Sequence, residues 1–387
     1  WGGHNGGPRK CTTESFVSGR FRRRVVSLGE KPSTTAAPAE IVSEGLVTVT
    51  GASGFIGSHV VANLLARGRD VRATVRDSSD PIRVDHLHAL PVAEGGSLEI
   101  VEMDLFDVSS VNAAIAGCTD LIHTAAAVRI SAKDPQRQIV DPSVIGTQNV
   151  VSAIDGAGTV ERFVHTSSTA AIRPMTWKDG ETLTTETWAD DATLEGNPYG
   201  LAKVMAERVV REWHSDGGEG KPRMVTIHPS VVFGPPLSKI HLRGSLSFLN
   251  TLVQRKVPVL IPIQINIVDV RDVAEAHVRA LTMGQNAGRY LTVSGDMQFS
   301  EISRMLRDEY PELKTPRFTV PYLIALVFGP LMDKRITLSW ARQHLRRKLY
   351  WDATPAEREL GMSWKPARES VLESVPGLLE KERMSRT

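Results

Sequence analysis

From Leu46 onward, short apolar runs alternate with longer stretches whose apolar residues recur every three or four positions. The runs Leu46–Val49, Val71–Val75, Leu98–Val101, Asp120–His123, Arg162–His165 and Met224–Ile227 have strand length. Helical spacing predicts helices over Val60–Leu65, Val111–Ala116, Val140–Ile154 and Pro198–Trp213. Strands and helices in strict alternation build a doubly wound parallel α/β sheet. After Ile227 the rhythm breaks, and Phe233-Gly234-Pro235-Pro236 marks a turn out of the sheet. The chain is expected to return once, through a strand Ile265–Val268, a helix Val270–Leu281 and a strand Tyr290–Val293. The predicted organisation is a nucleotide-fold domain over 46–232, rejoined by 264–298. A smaller, mostly helical C-terminal lobe over 233–263 and 299–375 covers the strand ends, with short tails at 1–45 and 376–387.

Between the first strand and the first helix lies Thr50-Gly51-Ala52-Ser53-Gly54-Phe55-Ile56-Gly57. Gly51 permits the tight turn, Gly54 lets backbone approach a pyrophosphate, and Gly57 lets the helix lie close to the strand. The helix start presents N–H groups and a partial positive charge to phosphate. Gly68 closes that helix and the second strand follows, completing a βαβ unit of about 30 residues. This context, strand then turn then helix, reads as a Rossmann dinucleotide site.

Composition narrows the setting. The chain has 387 residues, 41% of them hydrophobic, enough for a sizeable core. Net charge is +2, but residues 1–40 hold seven basic and three acidic side chains, leaving 39 basic and 41 acidic in the remainder. The body therefore carries no nucleic-acid footprint. Cys11 and Cys118 are two cysteines in unrelated contexts, so neither a disulfide framework nor a metal site is expected, and a reducing compartment fits. No apolar run reaches the roughly 18 residues of a membrane span. The longest, Val320–Met332, is interrupted by Pro321 and Pro330 and reads as a buried helix of the second lobe. The first 45 residues lack periodicity and are rich in Gly, Ser, Thr, Pro and Arg. Two readings stay open for them: a disordered tail on a cytoplasmic protein, or a plastid or mitochondrial transit segment.

Tyr199 and Lys203 sit four apart within the predicted helix from Pro198, hence on one face. An ammonium beside a phenol favours the phenolate and is expected to pull the tyrosine pKa down from about 10. Such a phenol can give a proton to a carbonyl oxygen. Thr166-Ser167-Ser168-Thr169 ends the fifth strand and offers a hydroxyl to the same oxygen. The glycine turn, the strand-end hydroxyls, the tyrosine and the lysine follow one another in order.

With these residues in view, the chain resembles an extended short-chain dehydrogenase/reductase of the NAD-dependent epimerase/dehydratase superfamily, nearest its dihydroflavonol-reductase-like branch. The likeness covers about 46–375. It rests on the glycine loop, Val71–Asp77, Asp104-Leu105, Thr166–Ser168, Tyr199 with Lys203, His228–Pro235 and Val268–Ala274. The resemblance implies Ser168, Tyr199 and Lys203 as the catalytic set. It implies Gly51, Ser53, Gly54, Phe55, Ile56 and Gly57 around the pyrophosphate. By the same likeness, Asp104 and Leu105 lie by the adenine, Ala125 and Ala126 by the phosphate and ribose, and Pro229 and Val231 by the nicotinamide. Tyr199 and Lys203 also meet the ribose end. A monomer or a homodimer is compatible with the family.

Charge favours NADP(H). An NAD site needs a carboxylate after the second strand, but Arg76 stands there with Asp77 one step beyond. A guanidinium suits a 2′-phosphate, and Arg83 is a second candidate. The expected reaction is reduction of a small-molecule aldehyde or ketone to an alcohol. The alternatives are a 3β-hydroxysteroid dehydrogenase-like or nucleotide-sugar-modifying enzyme, and a non-catalytic NADP(H) sensor. Three departures bear on substrate and role. His228 stands where the family often has Arg, and reads as a satisfied strand residue. Leu194–Pro198 lacks the tryptophan-bearing pattern of cinnamoyl-CoA reductases. His277 reads as structural.

Overall fold

The computed structural model describes residues 44–126, 132–332 and 338–386. Cys11 and the predicted tail or transit segment fall almost wholly outside the described residues.

Seven parallel strands form the central sheet: β1 (Val47–Thr50), β2 (Asp70–Val75), β3 (Ser97–Glu102), β4 (Asp120–His123), β5 (Arg162–Thr166), β6 (Arg223–Pro229) and β7 (Gly288–Thr292). Their order is β7-β6-β5-β4-β1-β2-β3, and every neighbouring pair is parallel. The order in which the strands are added reverses between β1 and β4, the switch point where doubly wound sheets open a crevice. β1 reads Val-Thr-Val-Thr and is buried along its whole length, the threonines on one face included, because helices cover both faces of the sheet. The helices Phe55–Leu65, Asp141–Ala157, Pro198–Asp216 and Val270–Ala280 complete the fold's helical layers.

The expected elements through Ile227 are all present, with ends shifted by a few residues. One return strand differs. Gln264–Asp269 joins a separate three-stranded sheet with Gly295–Gln298 and Val231–Phe233, while only Gly288–Thr292 enters the central sheet. Alternation alone does not say which sheet a strand enters. A second apolar cluster, including Phe233, Leu246, Leu249, Ile267, Phe299 and Leu306, underlies this region.

The helix predicted to be buried at Val320–Met332 spans Tyr322–Met332, and its described side chains are buried on one side and exposed on the other. Ala325 packs with Ala341 and Leu345, whereas Leu323, Ile324 and Val327 face outward. An all-round apolar sequence cannot announce which side lacks a neighbour. No helix among the described residues is long and apolar enough to cross a membrane.

Candidate active site

Because the strands run parallel, their C-terminal ends share one edge, and the predicted site residues arrive there from separate elements. At the end of β1, Gly51 has φ +68° and its N–H meets Thr74 Oγ1 at 3.3 Å. A Cβ on Gly51 would lie 2.7 Å from Ala125 Cα, and one on Gly57 only 2.4 Å from Gly51 O. The first contact brings the glycine loop against the Ala125–Ala126 segment that follows β4. Thr50 ties the same two ends together, its Oγ1 accepting from Ala125 N at 3.2 Å. Ser58 then begins the helical ladder by donating from its N–H to Gly54 O at 2.9 Å.

Beyond β2, Arg76 is exposed and has no ion-pair partner among the described residues. Asp77 spends its carboxylate locally, accepting from the Ser79 N–H at 2.9 Å and the Ser79 hydroxyl at 2.7 Å. The Ser79 hydroxyl and amide hold its pKa below the usual carboxylate value. Arg83 is paired with Asp80 at 3.0 Å. Arg76 is thus the unpaired cation of this strand end, and Arg83 is already engaged. Past β3, Asp104 caps its own turn through Phe106 N at 3.0 Å, and Leu105 holds Asn149 through its carbonyl at 2.7 Å.

The strand-end hydroxyls divide. Ser167 is 3% exposed and donates into the interior, to Glu207 Oε2 at 2.6 Å. Ser168 has extended backbone, accepts from Ala170 N at 3.1 Å, and its hydroxyl lies near enough to the Tyr199 phenol to favour the phenolate. Tyr199 occupies the first turn of its helix, which starts because Asn197 accepts from Gly200 N at 2.9 Å and Pro198 takes the first position. One turn on, Lys203 is 6% exposed and donates to Thr166 O at 3.1 Å. The geometry therefore joins Ser168, Tyr199 and Lys203 to the end of β5. Pro229 ends β6, and its carbonyl accepts from Thr169 Oγ1 at 3.2 Å. Val231 opens the next short strand.

The expected fall in the tyrosine pKa is not found. Burial raises the phenol above 10, and the Ser168 hydroxyl offsets this only in part. Burial also lowers Lys203 itself to about 8, against the field of Glu207, which raises it. Tyr199 is consequently held protonated, the form an acid requires.

One part of the site has no counterpart in the sequence reading. Glu207, one turn past Lys203, is fully buried and binds three partners: Ser167, His228 Nε2 at 2.8 Å and Arg289 Nε at 2.7 Å. Burial opposes its charge, but His228 and Arg289 reverse the balance and hold its pKa well below the carboxylate range. Arg289 comes from β7, donates to the carbonyls of Thr185 and Thr187, and lies 3.9 Å over the Trp188 ring. Glu207 thus clamps the Tyr199 helix to β5, β6, β7 and the loop before Tyr199. The signal available was its place, four residues past Lys203 on the face that must turn inward. His277 is a satisfied helix residue, bridging Thr166 Oγ1 and Val273 O at 2.7 Å each, whereas His228, expected to be satisfied, meets Glu207 through Nε2 and leaves its buried Nδ1 without a hydrogen-bond partner among the described residues.

Removing the clamp should be costly. Glu207→Leu leaves Arg289, whose side chain is 8% exposed, without its carboxylate. The expected loss is about 3–5 kcal/mol, partly restored by adding Arg289→Met. Urea melts of both variants measure it, and a loss below about 1 kcal/mol in the single variant would contradict the clamp.

The described fold is that of an extended short-chain dehydrogenase/reductase. The profile of the NAD dependent epimerase/dehydratase family matches residues 47–293, and the chain belongs to that family. It is 31% identical to cinnamoyl-CoA reductase CAD2 of Medicago truncatula over 87% of this chain and 96% of the relative. Identity to dihydroflavonol 4-reductase of Hordeum vulgare is 33%, covering 71% and 78%. Among solved structures, alfalfa vestitone reductase superposes with TM-score 0.66 at 26% identity, covering 88% and 99%. Gre2 of Candida albicans, solved with NADPH, does so with TM-score 0.66 at 27% identity, covering 87% and 99%.

Proposed function

We propose that the protein is an NADP(H)-dependent oxidoreductase that reduces an aldehyde or ketone to an alcohol. The oxidoreductase class and its cofactor accord with family membership and with NADPH-bound structures of the same fold. The observation that supports the carbonyl chemistry is the Ser168 hydroxyl beside the Tyr199 phenol at the end of β5, with Lys203 one helical turn on and donating to Thr166 O. The glycine cradle fits a dinucleotide, since a side chain at Gly51 or Gly57 would strike backbone. Gly51, Ser53, Gly54, Phe55, Ile56 and Gly57 would hold the pyrophosphate, Asp104 and Leu105 the adenine, and Ala125, Ala126, Pro229 and Val231 the remainder. Arg76 would take the 2′-phosphate. When bound, the dinucleotide supplies the hydride.

The chain's own groups do the rest. Ser168 donates to the carbonyl oxygen and polarises it. Tyr199 holds its proton until that oxygen becomes basic, then donates it. Lys203 keeps a positive charge by the developing alkoxide. Glu207 acts at a distance by fixing the helix that carries both.

Rates of NADPH and NADH oxidation against a panel of aldehydes and ketones test the class and the cofactor together. Arg76→Gln should raise KM for NADPH about 10- to 100-fold, the worth of a charge-assisted hydrogen bond, and leave KM for NADH nearly unchanged. Equal changes for both coenzymes would remove Arg76 from the 2′-phosphate role.

A further inference from the structure

The outward face of the helix Tyr322–Met332 takes no part in the proposed site. Leu323 is 70% exposed, Ile324 49% and Val327 59%, and Phe318 just before the helix is 61% exposed. Leu323 and Val327 are four apart, so with Ile324 they form one apolar stripe. The opposite side is occupied by Ala325 and Leu326 packing with Ala341 and Leu345. Exposed apolar side chains collected on one element mark a contact surface, whereas scattered ones do not.

Charge says what kind of contact. The described residues of 314–348 include six basic side chains, Lys314, Arg317, Arg342, Arg346, Arg347 and Lys348, and no acidic one. None of the six has a side-chain ion pair among the described residues. The basic groups begin where the apolar stripe begins. The Arg346 guanidinium lies 5.8 Å from the Tyr322 ring centroid. Tyr322, Arg342, Arg346, Arg347 and Lys178 line one open cleft of about 500 Å³, with Asp179 its single carboxylate. Tyr322 and Trp340, half-buried beside them, are the amphipathic rings favoured where water meets hydrocarbon.

We propose that this face docks the protein on an anionic lipid bilayer. The stripe enters the headgroup boundary while the arginines and lysines meet lipid phosphates and carboxylates. A second copy of the chain would bring the same cations against one another across a two-fold axis. The segment 1–43 is itself basic, with seven basic and three acidic residues. A nucleic acid satisfies the cations but offers Leu323, Ile324 and Val327 no apolar partner. The helix has 11 residues and lies on the membrane without spanning it. This inference is independent of the reductase reading.

The test is co-sedimentation of the full chain with vesicles of phosphatidylcholine alone or mixed with phosphatidylserine, at low and high salt. Binding should require phosphatidylserine and weaken with salt. Arg342→Gln with Arg346→Gln should reduce affinity about 30-fold, from the contribution of each basic residue near an anionic surface. Leu323→Glu with Val327→Glu should abolish binding without changing reductase activity or the thermal melt. No binding at low salt, binding indifferent to either pair, or conversion of an oligomer to monomers by the glutamate pair would each overturn the proposal. The last outcome would make the stripe a self-association surface.

Discussion

Tyr199→Phe is expected to lower turnover roughly 10²–10⁴-fold, the range for loss of a positioned general acid. The substitution keeps the ring and so preserves packing in the first helical turn. It removes the phenolic O–H that lies beside Ser168. Because burial raises the phenol's pKa, the wild-type group stays protonated through neutral pH and is available as an acid. NADPH affinity should change little, since the glycine loop, Arg76 and Lys203 are untouched. Single-turnover rates with a reducible aldehyde, set beside the NADPH Kd from fluorescence, separate the two quantities. Turnover within a few-fold of wild type would exclude Tyr199 as the proton donor, and a matching fall in NADPH affinity would recast it as a binding residue.

Acidification below about pH 6.5 should progressively destabilise this protein through its buried histidines. Burial lowers His277 and His59 to about 4 and His123 to about 3, and sets His165 well below its ordinary 6.5. His123 and His165 stack at 5.4 Å on adjacent strands, and both ring nitrogens of His165 lack a hydrogen-bond partner among the described residues. A histidine whose folded pKa is depressed binds its proton more readily in the unfolded chain. Its stabilisation is complete above about pH 6.5 and is lost as pH falls toward the folded value. By pH 4 each of His277, His59 and His123 should have cost about 3 kcal/mol, so the three together match a typical total stability of about 5–15 kcal/mol. Asp272, raised to about 6 by burial, works in the opposite sense as pH falls from about 6 toward 4, but it is a single group. Thermal melts between pH 7.5 and pH 4 (a range chosen to bracket roughly the histidine values) should show Tm falling steeply below about pH 6.5. His277→Gln should flatten the slope by one proton. A Tm constant down to about pH 4.5 would show that these rings do not stay neutral in the folded state.

Much of the fold was readable along the chain because its signals are local. Alternating strand and helix periods located β1 through β6 in order, and glycine spacing placed the loop after β1. The four-residue interval set Tyr199 and Lys203 on one helix face. Ser168 and Ser167 are neighbours of the same chemistry. Only the turn at Thr169–Ala171 sends one hydroxyl to Tyr199 and the other to Glu207. Arg289 lies 82 residues from Glu207, and no local pattern links them. The tyrosine pKa lies above its ordinary value because the partial burial of the phenol outweighs the nearby Ser168 hydroxyl, a balance that no local pattern sets.

What the sequence by itself determined is the order of elements, the backbone freedom at Gly51 and Gly57, and the identity of the side chains at the strand ends. These depend on interactions within a turn or a strand, and short-range sterics leave few alternatives. Tertiary packing decided which serine faces the tyrosine, which cation pairs with Glu207, which sheet receives Gln264–Asp269, and which side of Tyr322–Met332 stays open. Those outcomes depend on burial and on partners tens of residues away, and desolvation there outweighs any preference a residue carries alone.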